Sequence, residues 1–422
     1  MKQESVLRPE VLTRLEEIGR VDLIVGIPSF NNARTIGHVV RAVSAGLAKY
    51  FPEFSTLLVN SDGGSRDGTT EIVAREEFHA AGIMVAAPTR PLAKVITAYQ
   101  GLPGKGSAFR TIFEIAERLQ AKACAVVDSD LRSITPEWIQ LLLAPALHED
   151  FDYVCPLYSR HKYDGTITNA IVYPMVRSLF GKRVRQPIGG DFGFSGRLAS
   201  HFLKYDVWGS DVARFGIDIW MTTTALSGDF RICQSYLGAK IHDAKDPGAD
   251  LTSMLVQVTA ALLAQIEAHA DHCLAMDGSE PVPEFGFRYE VGLEPVPVNL
   301  KRMVEAFELG VREFDSIYAG FLGPDTRTGL AALIGQTPGE FHMPTDLWVH
   351  LVYEFAAAYH HRHLPPEHLL KSLTPLYLGR TASWVVQAAP FGAHEVEVEL
   401  DALSARFEAL KPHLRVRWHE RR

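Results

Sequence analysis

Hydrophobic positions in the first half of the chain follow two alternating patterns. Short apolar runs at residues 23–27, 57–59, 83–86, 123–127 and 153–155 predict buried β-strands. Between them, residues 36–48 and 107–119 carry apolar side chains at helical spacing. This alternation predicts an α/β fold with a mostly parallel sheet covered on both faces. Ligands bind such sheets at the carboxyl ends of the strands, so the loops there should carry the chemistry.

The pattern changes after about residue 245, where helical periods dominate. Helices are predicted at residues 250–268, 300–318, 346–359, 366–376 and 400–410. Pro247 and Gly248 mark the break, so we expect one domain at residues 1–245 and a mainly helical one at 246–422. The proline-rich segment 281–297 interrupts the helices and should run over the surface.

Composition narrows the possible functions. A chain of 422 residues exceeds the usual size of one hydrophobic core, which agrees with two domains. The net charge of −8 argues against a nucleic-acid-binding surface. No apolar run predicts a membrane span, and charged residues stand where a signal peptide would be apolar, so a cytoplasmic protein is expected. The four cysteines lack CxxC spacing and should be buried free thiols.

The clearest chemical signal is a pair of carboxylates at the end of a strand. The apolar run 123–127 is followed by Asp128, Ser129 and Asp130, a DxD pattern. Hard divalent cations prefer oxygen ligands and leave positions open for phosphate oxygens. The pattern alone is weak, because many loops contain two aspartates.

Two further loops give this pattern its context. Residues 103–106 open the helix before the DxD strand: their glycines would let backbone approach a ligand, and Lys105 could meet a phosphate. An ordinary loop with a solvated lysine is the alternative. In the loop after the second strand, Asp62 could bind a base or ribose, whereas Asp67 should cap the helix beginning at Thr69.

The first strand ends in residues 28–32. Pro28, Phe30 and Asn32 could frame a nucleobase there, or the segment could simply make a tight turn.

Taken in order along the chain, these elements resemble the retaining glucosyl-3-phosphoglycerate synthases and mannosylglycerate synthases. The resemblance covers roughly residues 21–260 and is carried by the segments 28–32, the Asp62 loop, 103–106, 128–130, 186–190, 215–218 and 240–242. It implies a GT-A-type nucleotide-diphosphosugar transferase with a helical C-terminal region. That region should complete the acceptor side and could provide contacts for a homodimer.

The resemblance also assigns roles to residues. Asp130 and His242 look like ligands of Mg²⁺ or Mn²⁺, and Asp128 like a ribose contact or a water-mediated metal contact. Lys105 resembles the residue that contacts the diphosphate and stabilises the departing nucleotide. Ser129 is grouped with the donor-binding residues.

The segment 186–190 resembles the loop that closes over the donor sugar, with Gly189 and Gly190 beside the donor. Ile188 would offer its backbone carbonyl to the incoming hydroxyl. Asp218 resembles the acid that positions the donor and acceptor hydroxyls, although it could instead cap a helix. Such enzymes react on one face of the sugar, so the product should keep the α-configuration, with catalysis by positioning and charge.

The acceptor segment matches the mannosylglycerate pattern. Arg160, Asp164 and Thr168 would hold glycerate, with Arg160 on the carboxylate. In the phosphoglycerate enzymes an arginine near Thr166 helps to hold the phosphate; the hydroxyl here favours glycerate, unless Lys162 or Arg185 compensates. The expected product is an α-glycosylglycerate, a compatible solute.

Several alternatives stay open. Transfer to 3-phosphoglycerate is the second reading, and a nucleotidyltransferase or a non-catalytic nucleotide-binding module is weaker. The donor could be UDP-glucose or GDP-mannose. Asp243 stands where the group usually has arginine after the metal histidine, and Lys245 could replace that cation.

Overall fold

A computed structural model describes residues 5–76, 92–228, 230–241, 251–289 and 291–420. The chain divides into two compact units. The first contains residues 1–159, 186–243 and 282–293, and the second contains residues 160–185, 244–281 and 294–422. This division differs from the single boundary after residue 245 expected from the sequence, because the segment 160–185 lies with the second unit and 282–293 with the first.

Among the described residues, the first unit is built on an eight-stranded sheet. Its strands are Leu23–Ser29 (β1), Thr56–Asp62 (β2), Ala93–Ala98 (β3), Ala123–Val126 (β4), Tyr153–Ser159 (β5), Phe192–Ser195 (β6), Ile232–Ala239 (β7) and Glu284–Phe285 (β8). They lie in the order β8-β7-β5-β6-β4-β1-β2-β3. Only β6 runs antiparallel to its neighbours in this described sheet. The mostly parallel α/β prediction is confirmed.

The apolar runs form strands because both faces of the sheet are covered, which buries every residue of β1. The strands predicted at 23–27, 57–59, 123–127 and 153–155 are confirmed. The strand predicted at 83–86 lies outside the described residues. β6 was not predicted, since its four residues are too few to show a period.

Helices cover the sheet of the first unit. They are Pro9–Ile18, Ile36–Tyr50, Thr69–Arg75, Lys105–Arg118, Pro136–His148, Gly196–Phe202 and Ile217–Ser227. Gly26 in β1 allows one of them to pack closely, because a Cβ at that position would lie 2.5 Å from the Ile112 side chain. Helix Lys105–Arg118 therefore rests against β1, and Lys105 is its first residue.

The second unit is mainly helical. Its α-helices are Tyr173–Phe180, Thr252–Ala268, Ala270–Ala275, Leu300–Glu313, Asp315–Tyr318, Pro324–Ala331, Thr345–His360, Pro366–Ala388 and Ala393–His419, and Thr168–Val172 is a π-helical turn. A two-stranded pair joins Lys182–Arg183 to Glu280–Pro281. The helices predicted at 366–376 and 400–410 are longer than expected, and each continues through a proline, Pro375 or Pro412.

The structure also tests the predictions made for the segment 281–297 and for the cysteines. The connection 281–297 lies at the surface as expected, since none of its described residues is buried, and part of it is strand β8, which pairs with β7 at the edge of the sheet. All four cysteines are free and buried, as expected. Among the described helices, none combines the length and apolar character needed to span a membrane.

Candidate active site

A cluster of charged side chains lies beside the carboxyl end of β4 in the first unit. The ammonium group of Lys105 lies 2.7 Å from Oδ1 of Asp128. It also lies 3.3 Å from each carboxylate oxygen of Asp218, which is in the first turn of helix Ile217–Ser227. The structure therefore brings together three residues that the sequence analysis assigned to the donor and to catalysis.

Two further members of this cluster were not predicted. Nζ of Lys240, which directly follows β7, lies 2.7 Å from Oδ2 of Asp128 and 2.8 Å from Oδ2 of Asp191. Asp191 is fully buried, and its Oδ1 accepts the backbone N–H of Asp128 at 2.7 Å. The hydroxyl of Tyr158 donates to the other oxygen of Asp191. Lys240 thus links both aspartates, and we name Lys105, Asp128, Asp191, Asp218 and Lys240 the charge cluster.

Burial and neighbouring charges shift the pKa values of the side chains in the charge cluster. Burial favours the neutral form of Asp128, but Lys105 and Lys240 outweigh it and hold the pKa of this carboxyl well below its usual range. Burial likewise opposes the charge on Lys105, yet Asp128 and Asp218 raise the pKa of its ammonium group. Burial raises the pKa of Asp218, and Lys105 only partly offsets that effect. Asp128 and Lys105 are therefore ionised at neutral pH.

The loop 186–190 folds directly onto the charge cluster. The carbonyl of Gly189 accepts from Lys240 at 2.7 Å, and that of Gly190 accepts from Lys105 at 3.2 Å. Gly190 has φ +93°, and a Cβ there would collide with the Asp128 carboxylate. Ile188, half-buried, belongs to the same loop. The predicted donor loop thus lies where Lys105 and Asp128 meet.

The glycines of the segment 103–106 permit a close packing contact. A Cβ on Gly104 would lie 2.5 Å from the carbonyl oxygen of Ala213, and one on Gly106 would collide with the carbonyl of Val212. These glycines let the start of helix Lys105–Arg118 pack against the chain at residues 212–214. Close approach of this backbone to a ligand stays a prediction.

The ends of β1 and β2 hold the other predicted donor residues. Oδ1 of Asn32 accepts the N–H of Phe30 at 2.9 Å and the hydroxyl of Ser129 at 2.8 Å, so these three residues are brought together. Phe30 is 61% exposed, and Pro28 lies in β1. Asp67 accepts the N–H of Thr69 at the helix start, as expected.

Asp62 is nearly buried, and its carboxylate is engaged by its own turn. It accepts bonds from the hydroxyls of Ser29 and Ser65 and from the N–H groups of Gly64 and Ser65. These bonds fix the loop after β2. A base or ribose contact for Asp62 stays a prediction.

The predicted metal ligands can be described only in part. Asp130 is half-buried, and His242 lies outside the described residues. Within the described ranges, no three His, Cys, Asp or Glu side chains converge on a ready-made metal site. Asp130 carries the kind of hard oxygen donor that Mg²⁺ or Mn²⁺ prefers, and it stands two residues after Asp128 of the charge cluster.

The predicted acceptor residues belong to the second unit. Arg160 Nη1 lies 3.4 Å from Oδ2 of Asp164. Thr166 is buried, and its hydroxyl lies 2.5 Å from that of Tyr377. Thr168 is buried at the start of the π-helical turn.

Both cations considered as phosphate ligands have partners in this unit. Lys162 donates to the carbonyl of Ala389 at 2.7 Å. Arg185 makes a two-pronged ion pair with Glu397 at 2.9 and 3.0 Å and donates to Oδ1 of Asn169 at 2.9 Å. Their role as phosphate ligands stays a prediction.

Comparison with known proteins agrees with this architecture. Residues 24–203 match the family model of glycosyl transferase family 2. Glucosyl-3-phosphoglycerate synthase of Petrotoga mobilis is 24% identical over 270 residues, which are 61% of this chain and 77% of that protein.

Solved structures of glucosyl-3-phosphoglycerate synthase from Mycobacterium tuberculosis are also similar. One contains Mn²⁺, UDP and phosphoglyceric acid; it is 22% identical, covers 60% of this chain and 82% of that one, and gives a TM-score of 0.43. Another, with Mg²⁺ and UDP, has the same identity and TM-score and covers 83% of that chain.

The matched residues 24–203 include Lys105, Asp128 and Asp191 of the charge cluster. The segment 24–203 is therefore similar to glycosyl transferase family 2, and it lies on the mixed α/β fold described above.

Proposed function

We propose that this protein is a retaining, metal-dependent hexosyltransferase that transfers glucose or mannose from a nucleotide diphosphosugar to a three-carbon hydroxy acid. The observation that carries the proposal is the charge cluster, in which Lys105 and Lys240 hold Asp128 from two sides. Two buried cations beside the carboxyl end of β4 suit a diphosphate better than a neutral ligand.

In this mechanism the lysine ammonium groups stabilise the departing nucleoside diphosphate. Lys105 contacts Asp128, Asp218 and the carbonyl of Gly190, so its position is fixed before a donor arrives. A preorganised cation stabilises the charge that develops on a leaving phosphate without reorganising during the reaction. Lys240 is held still more rigidly by two aspartates and the Gly189 carbonyl.

Asp218 is suited to orient hydroxyl groups. Its Oδ1 is buried and accepts no hydrogen bond from any described residue, although Lys105 Nζ lies 3.3 Å away. A buried acceptor of this kind is satisfied when a sugar or acceptor hydroxyl donates to it. Catalysis then comes from positioning. The acceptor oxygen bonds to the anomeric carbon on the face where the bond to the diphosphate breaks, its hydroxyl proton passes to the leaving phosphate oxygen, and the α-configuration is kept.

Bound Mg²⁺ or Mn²⁺ supplies further positive charge to the diphosphate, and Asp130 with His242 are the residues that would hold it. The nucleobase fits the edge formed by Phe30, Asn32 and Ser129, where Phe30 exposes a ring for stacking. Asp128 contributes by holding the two lysines, since both its oxygens are paired with them.

For the acceptor we favour 3-phosphoglycerate. Support comes from the Petrotoga relative, whose name gives this acid as the acceptor. D-Glycerate is the second candidate, because Thr166 places a hydroxyl where the phosphoglycerate enzymes have an arginine. Both acids carry the carboxylate that Arg160 is suited to bind.

One experiment tests the proposal as a whole. Purified protein is incubated with Mg²⁺ or Mn²⁺, UDP-glucose or GDP-mannose, and either acid, and products are resolved by mass and anomeric NMR. We expect one of the two acids to become an α-linked hexosyl glycoside, with no ester bond formed. A β-linked product would exclude retention, and absence of transfer from every donor would exclude the function.

A further inference from the structure

A small cavity within the second unit contains an unusual cation. The cavity is partly open to solvent and is lined by Thr166, Asn169, Arg380, Thr381, Trp384 and Leu403, among others. Every lining residue belongs to the second unit. The space inside it admits only a small chemical group.

Arg380 is the exceptional residue of this cavity. It is 4% exposed, and its side chain makes no hydrogen bond or ion pair with any described residue. Another buried arginine of the same unit, Arg177, is 3% exposed but pairs with both Asp401 and Glu408. A buried charge without a partner is strongly unfavourable, so such a group normally has a counter-ion.

Arg380 keeps its charge despite burial. Burial lowers the pKa of its guanidinium to about 10, while Glu399 opposes that shift. This value still lies far above neutral pH, so the group is cationic. Glu399 is also engaged with the amide of Gln387 at 2.9 Å and forms no ion pair with Arg380 among the described contacts.

Two polar side chains of the lining have partners of their own. The hydroxyls of Thr166 and Tyr377 hydrogen-bond to each other, and either can be the donor. The amide of Asn169 donates to the carbonyl of Asp164 at 3.3 Å and accepts from Arg185 at 2.9 Å, which leaves its second N–H for a ligand. The other walls, including Trp384 and Leu403, are apolar and strengthen electrostatic contacts by lowering the local dielectric. A planar guanidinium with neighbouring donors is the arrangement that binds carboxylate or phosphate oxygens.

We propose that Arg380 binds the oxyanion of a small acid, phosphate or carboxylate, in this cavity. The identification of that acid with the hexose acceptor rests on the proposed function. Arg380 then supplies from helix Pro366–Ala388 the cation that position 166 lacks. The bound oxyanion is then the counter-ion of the Arg380 guanidinium.

The test uses the full chain and measures thermal unfolding with increasing inorganic phosphate, D-glycerate or 3-phosphoglycerate, against chloride at equal ionic strength. Binding to the native state raises Tm. We expect Arg380→Met to remove the response and to raise the apparent Kd about ten- to a hundredfold, as loss of a charge-assisted contact does. Arg406→Met, which removes an arginine 44% exposed and paired with Asp346, is the matched control and should keep the response.

The three ligands separate the two oxyanions. A response to phosphate and 3-phosphoglycerate but not to glycerate identifies a phosphate site. A response to glycerate and 3-phosphoglycerate but not to phosphate identifies a carboxylate site, and a response to all three means that Arg380 binds either oxyanion. No Arg380-dependent response to any of them overturns the proposal. Should Arg380→Met fail to fold, Arg380→Lys decides: weakened binding supports the site, and unchanged binding overturns it.

Transferase assays distinguish this proposal from the proposed function. If wild-type protein transfers hexose and Arg380→Met leaves the acceptor KM unchanged, the function stands and the Arg380 site falls. If no donor is used but phosphate still raises Tm only when Arg380 is present, the transferase function falls and the oxyanion site stands.

Discussion

Nζ of Lys240 lies 2.7 Å from Oδ2 of Asp128, and it reaches Asp191 from the same position. Both ends of the ion pair with Asp191 are buried, with 4% and 0% of their side chains exposed. Lys240 therefore supports the fold of the first unit as well as the charge of the site.

Replacing Lys240 by methionine should leave the buried Asp191 without its cation and Asp128 with Lys105 alone. Removing one partner of a buried pair typically lowers the free energy of unfolding by about 3–5 kcal/mol. Lys301→Met is the control, since Lys301 is 77% exposed and its pair with Glu305 spans 3.7 Å; about 0.5 kcal/mol or less is expected. Guanidinium unfolding curves compare the two, and equal losses would contradict the structural role of Lys240.

Gly190 offers a second test of the site geometry. Gly190→Ala should lower turnover at least about tenfold, because the added Cβ displaces Asp128 and Lys240 in addition to straining a left-handed backbone. Gly278→Ala carries only the strain, since φ is +75° there and nothing lies within 4 Å of the new Cβ. Hexose transfer and Tm are measured for both variants. Full activity of Gly190→Ala would mean that the loop can move away without effect.

Asp218→Asn tests the orienting role of Asp218. The amide keeps the shape but loses the charge, so kcat should fall by about a hundredfold or more while the donor KM changes little. Asp206→Asn, an exposed aspartate of the same unit, should behave as wild type. Steady-state kinetics with varied donor separate the two constants. A change confined to the donor KM would assign Asp218 to donor binding instead.

Metal dependence is tested on the predicted ligands. Chelator should abolish transfer, and Asp130→Ala and His242→Ala should each weaken Mn²⁺ binding, since a hard cation that loses a ligand no longer holds the diphosphate. Asp271→Ala, on the exposed face of helix Ala270–Ala275, is the control. Mn²⁺ titration by calorimetry gives a readout independent of activity. Unchanged Mn²⁺ affinity in both site variants would remove these two residues from the metal site.

The sequence predicted the residues whose signal is local. Asp128 follows an apolar strand, and Lys105 opens a helix after a glycine-rich turn, so both could be located from neighbouring residues alone. Asp191 could not be located in this way. It faces Asp128 because β6 runs antiparallel to β4, with Val126 opposite Phe192, and this register is set by tertiary pairing.

Tertiary pairing also explains why Arg380 of the second unit was not predicted. Thr166 and Arg380 line one cavity although more than two hundred residues separate them in sequence, and no period or motif connects them. Lys240 was part of a recognised motif, yet its contacts with Asp128 and Asp191 depend on the ends of two strands meeting. Long-range pairs of this kind require the structure.

Acceptor binding through Arg160 is the remaining prediction. Nη1 of Arg160 lies 3.4 Å from Oδ2 of Asp164, and a guanidinium can form a two-pronged contact with an acceptor carboxylate. Loss of a charge-assisted, two-pronged contact is typically worth about 1.5–3 kcal/mol, so Arg160→Ala should raise the acceptor KM about ten- to a hundredfold and leave donor binding nearly unchanged. Arg183→Ala, an exposed arginine of the same unit, is the control.

Assays with glycerate and 3-phosphoglycerate distinguish the possible roles of Arg160 and Arg380 in acceptor binding. If Arg160 binds the carboxylate and Arg380 the phosphate, Arg160→Ala raises the KM of both glycerate and 3-phosphoglycerate, whereas Arg380→Met raises only that of the phosphorylated acid. Equal effects of the two variants on glycerate would mean that both arginines bind one carboxylate. An Arg160→Ala variant with an unchanged KM for either acid would contradict the role that the sequence predicts for Arg160, because a charge-assisted contact cannot be lost without a loss of affinity.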